Sequence, residues 1–213
     1  MRNYRIIFLL LSSLVLSSCA YHKLAAPSKR LAPLNTEIIN PVIPASGAIK
    51  YKASIDVLNK HFTGLIVLKQ TDRETKHLVF VTELGMRMFD FEMKGDSMKP
   101  VFVFDALNKP KLVTALVRNF SSILLIDWFS DVAWILEKQG KEYLHLERSI
   151  PPFMRDARHF FLFTDDKKNA TKLQVFKKRK KESKVVYSNN YENIKLKQYG
   201  LVKLYIEMDK INE

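Results

Sequence analysis

The chain has 213 residues, of which 47% are hydrophobic and 11% are aromatic, and its formal net charge is +13. This length and apolar content allow one domain with a buried core, and they exclude an intrinsically disordered chain. The single cysteine, Cys19, excludes an intrachain disulfide.

Residues 1–18 have the pattern of a secretory signal peptide. Their only charges are Arg2 and Arg5, an apolar run follows over 6–16, and small residues precede Cys19. The run is shorter than the roughly 20 residues that a membrane-spanning helix needs. An uncleaved membrane anchor is the alternative interpretation. We expect the signal to be removed immediately before Cys19.

The residues around Cys19 carry a second signal. The sequence Leu16-Ser17-Ser18-Cys19 resembles the lipobox of bacterial lipoproteins. In that family the new N-terminal cysteine carries a diacylglycerol and acyl chains such as palmitate, so the resemblance implies lipidation of Cys19. By the same resemblance, Ala20 in place of Asp is compatible with sorting to an outer membrane. The implied location is the cell envelope, on the periplasmic side of the outer membrane.

The segment after the cysteine differs in composition from the rest of the chain. Residues 20–46 contain four of the eight prolines and show no period of 2 or 3.6 residues. We therefore expect 19–46 to be the lipidated cysteine and a flexible tether. A single folded domain is expected over 47–213.

Within that domain the hydrophobic pattern predicts mainly β-strands. Gly64, inside one of them, predicts a bend or a close approach of two backbones. Short turns between sequential strands favour antiparallel pairing. The predicted strands are 48–57, 62–70, 77–84, 86–94, 100–105, 159–164, 173–177, 184–187, 193–198 and 201–208.

The predicted strand 62–70 is apolar on both of its faces. It contains the run Leu65-Ile66-Val67-Leu68. One face of such a strand must pack on something other than bulk solvent, such as a helix or a ligand. Position 66, inside this leucine-containing run, is therefore a candidate ligand-binding position to which the sequence assigns no specific role.

One region between the strands predicts helix. Asn108 is a suitable N-cap and Pro110 suits the first turn. An apolar stripe at helical spacing then follows. A second short helix is predicted over 127–136. The helices interrupt the strands once, so they should cover one face of the sheet. The stripe consists of Leu112, Leu116, Phe120 and Ile123 or Leu124.

Positive charge is concentrated over 167–184, where nine lysines and arginines face Glu182 alone. An exported protein rarely meets nucleic acid, so anionic lipid head groups are the partner that this charge favours. A solvated hairpin loop without a partner is the alternative interpretation.

The sequence contains no pattern typical of a metal site or a phosphate-binding loop, so we expect no metal and no cofactor. Gly95-Asp96-Ser97 and the later pair Asp156 and His159 match two blocks of the GDS-type serine esterases. The blocks that would build an oxyanion hole are missing between them. We therefore expect no catalytic residues and no enzymatic activity.

Methionine and aromatic residues cluster in the middle of the chain. They are either plain core or the lining of a cavity for acyl chains, since methionine adapts to irregular apolar partners. The candidate ligand-binding residues of this cluster are Met88, Phe89, Phe91, Met93, Phe102 and Phe104.

The order of elements over 77–107 and the helix that follows resembles the central part of LolB-type outer-membrane lipoprotein receptors. A strand leads to a Leu-Gly turn, an alternating strand, an acidic turn and another strand. The ending, 191–211, is similar to the closing hairpin of that family, and Thr63-Gly64 resembles its early Arg-Gly strand without the arginine. The resemblance extends over most of 48–211.

This resemblance implies an α+β, mostly β fold. It would be one strongly curved antiparallel sheet, an incomplete barrel, with one or two helices covering the open side. It also implies an apolar cavity for the acyl chains of other lipoproteins, and a membrane contact at Leu84. The hypothesis is a membrane-anchored, LolB-like receptor or localisation factor. The alternative is a structural or protein-interaction lipoprotein of the envelope that holds no lipid.

Overall fold

The computed structural model describes residues 29–33, 39–43, 47–72, 74–95, 97–126, 132–138, 141–148, 158–165, 169–177, 179–200 and 202–211. The predicted signal peptide and Cys19 lie outside these residues. Thirteen strands and one helix, α1 (Pro110–Ile123), occupy the described part of the chain. The strands are β1 (Lys29–Pro33), β2 (Ala48–Val57), β3 (Lys60–Gln70), β4 (Thr75–Thr82), β5 (Arg87–Lys94), β6 (Ser97–Val103), β7 (Val132–Lys138), β8 (Lys141–Arg148), β9 (Arg158–Thr164), β10 (Ala170–Lys177), β11 (Lys180–Ser188), β12 (Asn193–Gln198) and β13 (Leu204–Lys210).

All thirteen strands belong to one antiparallel sheet. Their order is β1-β7-β8-β9-β10-β11-β12-β13-β2-β3-β4-β5-β6, so β1 and β6 are the edges and the sheet does not close. This confirms the predicted class, a mostly β fold built on an incomplete barrel, with a single helix in the described residues. Hairpin connections produce most of this order, because sequential antiparallel strands need only short turns.

Helix α1 shows how strongly the sheet is curved. It contacts β6 at one edge and also β11 and β12. Six strand spacings of about 4.8 Å separate β12 from β6 along the sheet. A helix about 10–12 Å across touches both only if the sheet curls around it. The helix therefore lies on the concave face and covers the open side.

The core follows the two periods in the sequence. In β12, Ile194 and Leu196 are buried, whereas Lys195 and Lys197 point outward. The predicted apolar stripe of α1 is buried throughout, which fixes the face that the helix turns to the sheet.

Gly64 is the site of a close approach, as predicted. A Cβ atom built at this position would lie 2.0 Å from the carbonyl oxygen of Val81 and 2.7 Å from the Cα of Thr82. Gly64 pairs with Ala53 on one side and Thr82 on the other. The absence of a side chain therefore lets the β4 backbone approach β3 at this position.

Two local predictions are wrong. The helix begins at Pro110, so its N-cap is Lys109, which makes no side-chain hydrogen bond to it. The predicted N-cap, Asn108, lies one residue before that position. The second helix is contradicted over 132–136, which belongs to β7. That segment pairs residue by residue with β8, and its valine and isoleucine favour an extended backbone. Residues 127–131 lie outside the described residues.

Folded structure also occurs within the predicted tether. β1 pairs with β7 at the edge of the sheet. Val42 is buried in the hydrophobic core. The side chain of Asn40 donates a hydrogen bond to Asn169, and its carbonyl accepts one from the Tyr191 hydroxyl. The chain is therefore held against the barrel before β2 begins.

Candidate functional site

The concave face under α1 is aromatic. Phe89 and Phe91 of β5 stack with ring centroids 4.8 Å apart, and Phe80 of β4 lies 5.3 Å from Phe89. Phe120 of α1 packs on this group at 5.4 Å from Phe89 and 6.1 Å from Phe91. All four side chains are at most 1% exposed. No space that admits water adjoins rings this buried, so α1 and the sheet are in direct contact here.

The structure brings together most of the predicted ligand-binding residues. Met88, Phe89, Phe91 and Met93 are buried in the core, and Phe104 packs against it. This packing agrees with their alternative interpretation as plain core. Their role in ligand binding stays a prediction.

Ile66 belongs to the buried face of β3. Ile66 pairs with Tyr51 of β2 and with Phe80 of β4, and all three side chains are at most 1% exposed. Leu65, on the opposite face of the strand, is 41% exposed. Ile66 is therefore a β-branched core residue packed among aromatic neighbours, and a ligand contact there stays a prediction.

Phe102 lies apart from this group. It pairs with Asp90, on the face opposite to Phe89 and Phe91. The Arg87 guanidinium lies 4.3 Å from the centroid of its ring, and Arg87 also approaches the Asp90 carboxylate at 3.8 Å. A bulge in the pairing of β5 with β6 changes which β6 side chains share a face with Phe89 and Phe91. The sequence pattern does not reveal this bulge.

Polar contacts between described residues join the C-terminal half of α1 to the sheet. At its C-terminal end the buried Tyr187 hydroxyl lies 3.1 Å from the carbonyl oxygens of both Ser122 and Ile123. One turn earlier, the Asn119 amide donates to Gln198. Arg118, the residue before it, pairs with Glu182 at 3.2 Å. The N-terminus itself has no side-chain cap, so the helix is held most firmly at its far end.

One end of the half-barrel, here called the rim, presents exposed apolar side chains. The β2–β3, β4–β5, β10–β11 and β12–β13 turns meet there, and α1 begins there, because alternate turns of an antiparallel sheet share an end. Most large apolar side chains exposed in the described residues lie in these turns or beside them. Those in the turns are Leu58, Leu84, Met86 and Tyr199.

Leu84 is the most exposed of them, at 91%. It lies at the tip of the β4–β5 turn, before Gly85, whose φ is +79°. Thr82 closes this turn, because its N–H donates to the Met86 carbonyl at 2.9 Å and its carbonyl accepts from the Gly85 N–H. The turn thus presents the leucine to the surroundings, and its predicted contact with a membrane stays a prediction.

A basic cleft of about 780 Å³ also opens at the rim, between α1 and the β10–β11 turn. Tyr199 and Thr114 belong to its wall. Five cationic side chains line it: Lys111, Arg118, Lys177, Lys180 and Lys181. Sequence reasoning found the three lysines near residue 180 but missed Lys111 and Arg118, because nothing in the sequence places α1 beside that turn.

Glu182 is the one acidic residue among those described in the cleft wall. Its carboxylate accepts hydrogen bonds from Arg158 at 2.7 and 3.3 Å and also pairs with Arg118 at 3.2 Å. Burial lowers the pKa of Lys181, and the nearby charge of Lys184 lowers it further. The cleft therefore holds cations close together with their single acid already engaged.

The structure does not bring the esterase-like residues together. Ser97 begins β6 at the end opposite the rim, and its hydroxyl donates to the Lys94 carbonyl. His159 lies at the rim end of β9, and Asp156 lies outside the described residues. Among the residues that the structure describes, no three His, Cys, Asp or Glu side chains form a metal-binding group. In the same residues no helix is long and apolar enough to cross a membrane.

No protein-family profile matches the chain, and no curated protein sequence does. Solved structures with a similar fold include the following two. A LolA superfamily protein from Nitrosomonas europaea has a TM-score of 0.48 and 9% identity, over 80% of this chain and 86% of that one. A DUF1329 family protein from Desulfovibrio piger has a TM-score of 0.41 and 11% identity, over 78% and 85%. Both TM-scores are below 0.5, and neither structure assigns a function to this chain.

Proposed function

We propose that this protein is a lipoprotein, anchored by Cys19, that binds acyl chains between α1 and the concave face of its half-barrel. The role is non-enzymatic and corresponds to a LolB-like receptor or localisation factor in the cell envelope. The observation that carries the proposal is the aromatic contact between α1 and an otherwise open sheet. An acyl chain can replace this contact without exposing apolar surface to water.

Binding requires α1 to move. The rings of Phe89, Phe91 and Phe120 leave no room beside them, so a chain enters only where the helix lifts from the sheet. The part of α1 from Pro110 to Phe120, which includes Arg118, is the part to lift, because the Tyr187 hydroxyl holds only the last residues of the helix. Each methylene buried in this way contributes about 0.8 kcal/mol, which offsets the lost ring contacts after a few methylenes.

The movable part of α1 begins at the rim. α1 begins at the same end of the barrel as Leu84, Leu58 and the basic cleft. A rim resting on a membrane would open the helix towards lipid rather than towards water. Leu84 is then the membrane contact, and the positive charge at the β10–β11 turn faces anionic head groups.

The test is a reversible cross-link between α1 and β11. The Arg118→Cys/Glu182→Cys variant, in a Cys19→Ser background, places one thiol on α1 and one on β11. In the parent protein the charged ends of these two side chains lie 3.2 Å apart. A short, reducible thiol cross-linker then holds the helix down. We expect a fluorescent fatty acid to bind the open variant, to lose most of its binding after cross-linking, and to regain it after reduction. Equal binding in all three states contradicts a site under α1.

A second function is favoured by the same packing. The described side chains under α1 pack against one another as a buried core, as a structural or protein-interaction lipoprotein requires. Native mass spectrometry of protein from membrane extracts separates the two functions. Co-purifying lipid supports acyl-chain binding. Its absence, together with no binding of the fatty acid by the parent protein, supports an interaction protein without a lipid ligand.

A further inference from the structure

The basic cleft combines charges from two distant parts of the sequence. Lys111 and Arg118 lie on α1, whereas Lys177, Lys180 and Lys181 flank the β10–β11 turn. Folding brings these cations to the walls of one space. Burial lowers the pKa of Lys181, and the charge of Lys184, outside the cleft, lowers it further. An anion in the cleft would offset positive charge from both sides.

The cleft keeps this positive charge in spite of Glu182. That carboxylate is held by Arg158 and Arg118, and its side chain is only 14% exposed. It therefore fixes two guanidinium groups in place and does not extend into the open space. Lys111 and Lys180, in contrast, are exposed at the two sides of the cleft. Their ammonium groups are suited to bind the oxygens of a phosphate group.

The position of the cleft indicates the source of that phosphate. The cleft opens at the rim, among turns that expose Leu58, Leu84 and Tyr199. Apolar tips beside a cationic site match the two layers of a bilayer surface, in which head-group phosphates lie just above acyl chains. A site for a free, soluble phosphate ester has no need of the exposed leucines.

We propose that the cleft between α1 and the β10–β11 turn is a binding site for the phosphate group of an anionic phospholipid. Lys111 contacts the phosphate from the helix and Lys180 from the sheet, while Glu182 positions Arg118 in the wall. The site extends the proposed function but does not depend on it, because it lies outside the core where acyl chains would bind.

The test compares vesicles of phosphatidylcholine with vesicles that also contain phosphatidylglycerol. The protein is the chain from residue 19 with Cys19→Ser, so that neither a signal peptide nor an acyl group contributes to binding. Lys111→Gln/Lys180→Gln removes one cation from each side of the cleft. Lys69→Gln/Lys99→Gln is the matched control, because it removes the same charge from exposed positions towards the opposite end of the sheet.

We expect the parent and the control to bind the phosphatidylglycerol vesicles equally, and the cleft variant to bind roughly fivefold more weakly for each lysine removed. Unchanged thermal unfolding of both variants shows that the fold is intact. Equal loss in the two variants, or no loss in either, overturns the proposal in favour of diffuse attraction. Saturable binding of soluble glycerophosphate, lost in the cleft variant while vesicle binding is unchanged, overturns the lipid assignment. Failure of the fatty acid to bind under α1 leaves this result unaffected.

Discussion

Leu58 combines backbone strain with exposure. Val57 pairs with Lys60, so Leu58 and Asn59 form a two-residue hairpin turn with φ values of +52° and +61°. Such turns favour Asn and Gly, and a leucine in the left-handed region loses about 1 kcal/mol. The leucine side chain is also 44% exposed, so its packing within the protein does not explain the choice. A contact outside the protein, such as the bilayer, would explain it.

Leu58→Asn separates these two effects. We expect the free energy of unfolding to rise by about 1 kcal/mol, because asparagine tolerates the left-handed backbone. Binding to phosphatidylglycerol vesicles should weaken by roughly fivefold, because an apolar contact is lost. Urea unfolding and vesicle co-sedimentation measure the two quantities. A variant that is more stable and binds vesicles as well as the parent contradicts a membrane role for Leu58.

At the scale of elements, buried tyrosines join strands, turns and helix. The Tyr51 hydroxyl of β2 donates to the Tyr191 carbonyl at 3.1 Å, and Tyr187 of β11 contacts the end of α1. The Tyr191 hydroxyl accepts from the Ala170 N–H and donates to the Asn40 carbonyl. Burial and the neighbouring Tyr191 raise the pKa of Tyr51 to about 12. Burial also raises the pKa values of Tyr187 and Tyr191.

These tyrosines predict a loss of stability in alkali. The unfolded chain releases its phenol protons near pH 10, whereas folded Tyr51 keeps its proton to about pH 12. Stability is therefore complete below about pH 10 and decreases as the pH rises towards 12. Each such tyrosine contributes a slope of about 1.4 kcal/mol per pH unit. Denaturant unfolding of Tyr51→Phe should show a shallower slope than the parent, whereas Tyr199→Phe, at an exposed rim residue, should match the parent.

For the whole molecule, the two ends of the half-barrel differ. Leu84 and the basic cleft lie at the rim, whereas Asn40, Asn169 and the end of α1 lie at the other end. Ile211, after β13, is an exposed apolar residue at that other end. The rim is the end that we propose contacts a membrane, and the two ends offer exposed apolar positions that can be compared.

Leu84→Gln and Ile211→Gln test that asymmetry. Both remove an exposed apolar side chain, with exposures of 91% and 38% in the parent. We expect Leu84→Gln to weaken vesicle binding roughly fivefold, since a leucine that enters the interface loses part of its transfer free energy. Ile211→Gln should bind as the parent does. Equal effects of the two variants, measured by co-sedimentation, would show that the rim is not the membrane-facing end.

Much of the architecture follows from local patterns. β2 and β12 begin and end where the alternation of apolar and polar residues predicts, because side chains alternate between the two faces of a strand. Gly64 and the apolar stripe of α1 are also predicted correctly, since each reflects a local steric or periodic requirement. The run around Ile66 is apolar on both faces, so only the fold shows which face is buried. β7 is wrongly predicted as helix, because its pairing with β8 is decided by hydrogen bonds that no local pattern contains.

Local patterns in the sequence are thus enough to predict a mostly β domain with one apolar-striped helix and an excess of positive charge after residue 167. The lipoprotein signal and the lipidation of Cys19 stay predictions. How the other features combine depends on the tertiary structure. Lys111 and Lys180 are far apart in the chain, and the curvature of the sheet brings them to one cleft. The same curvature buries Phe89 and Phe91 under Phe120. Contacts of this kind depend on where the sheet bends, and the energy of that bend is shared among many strands.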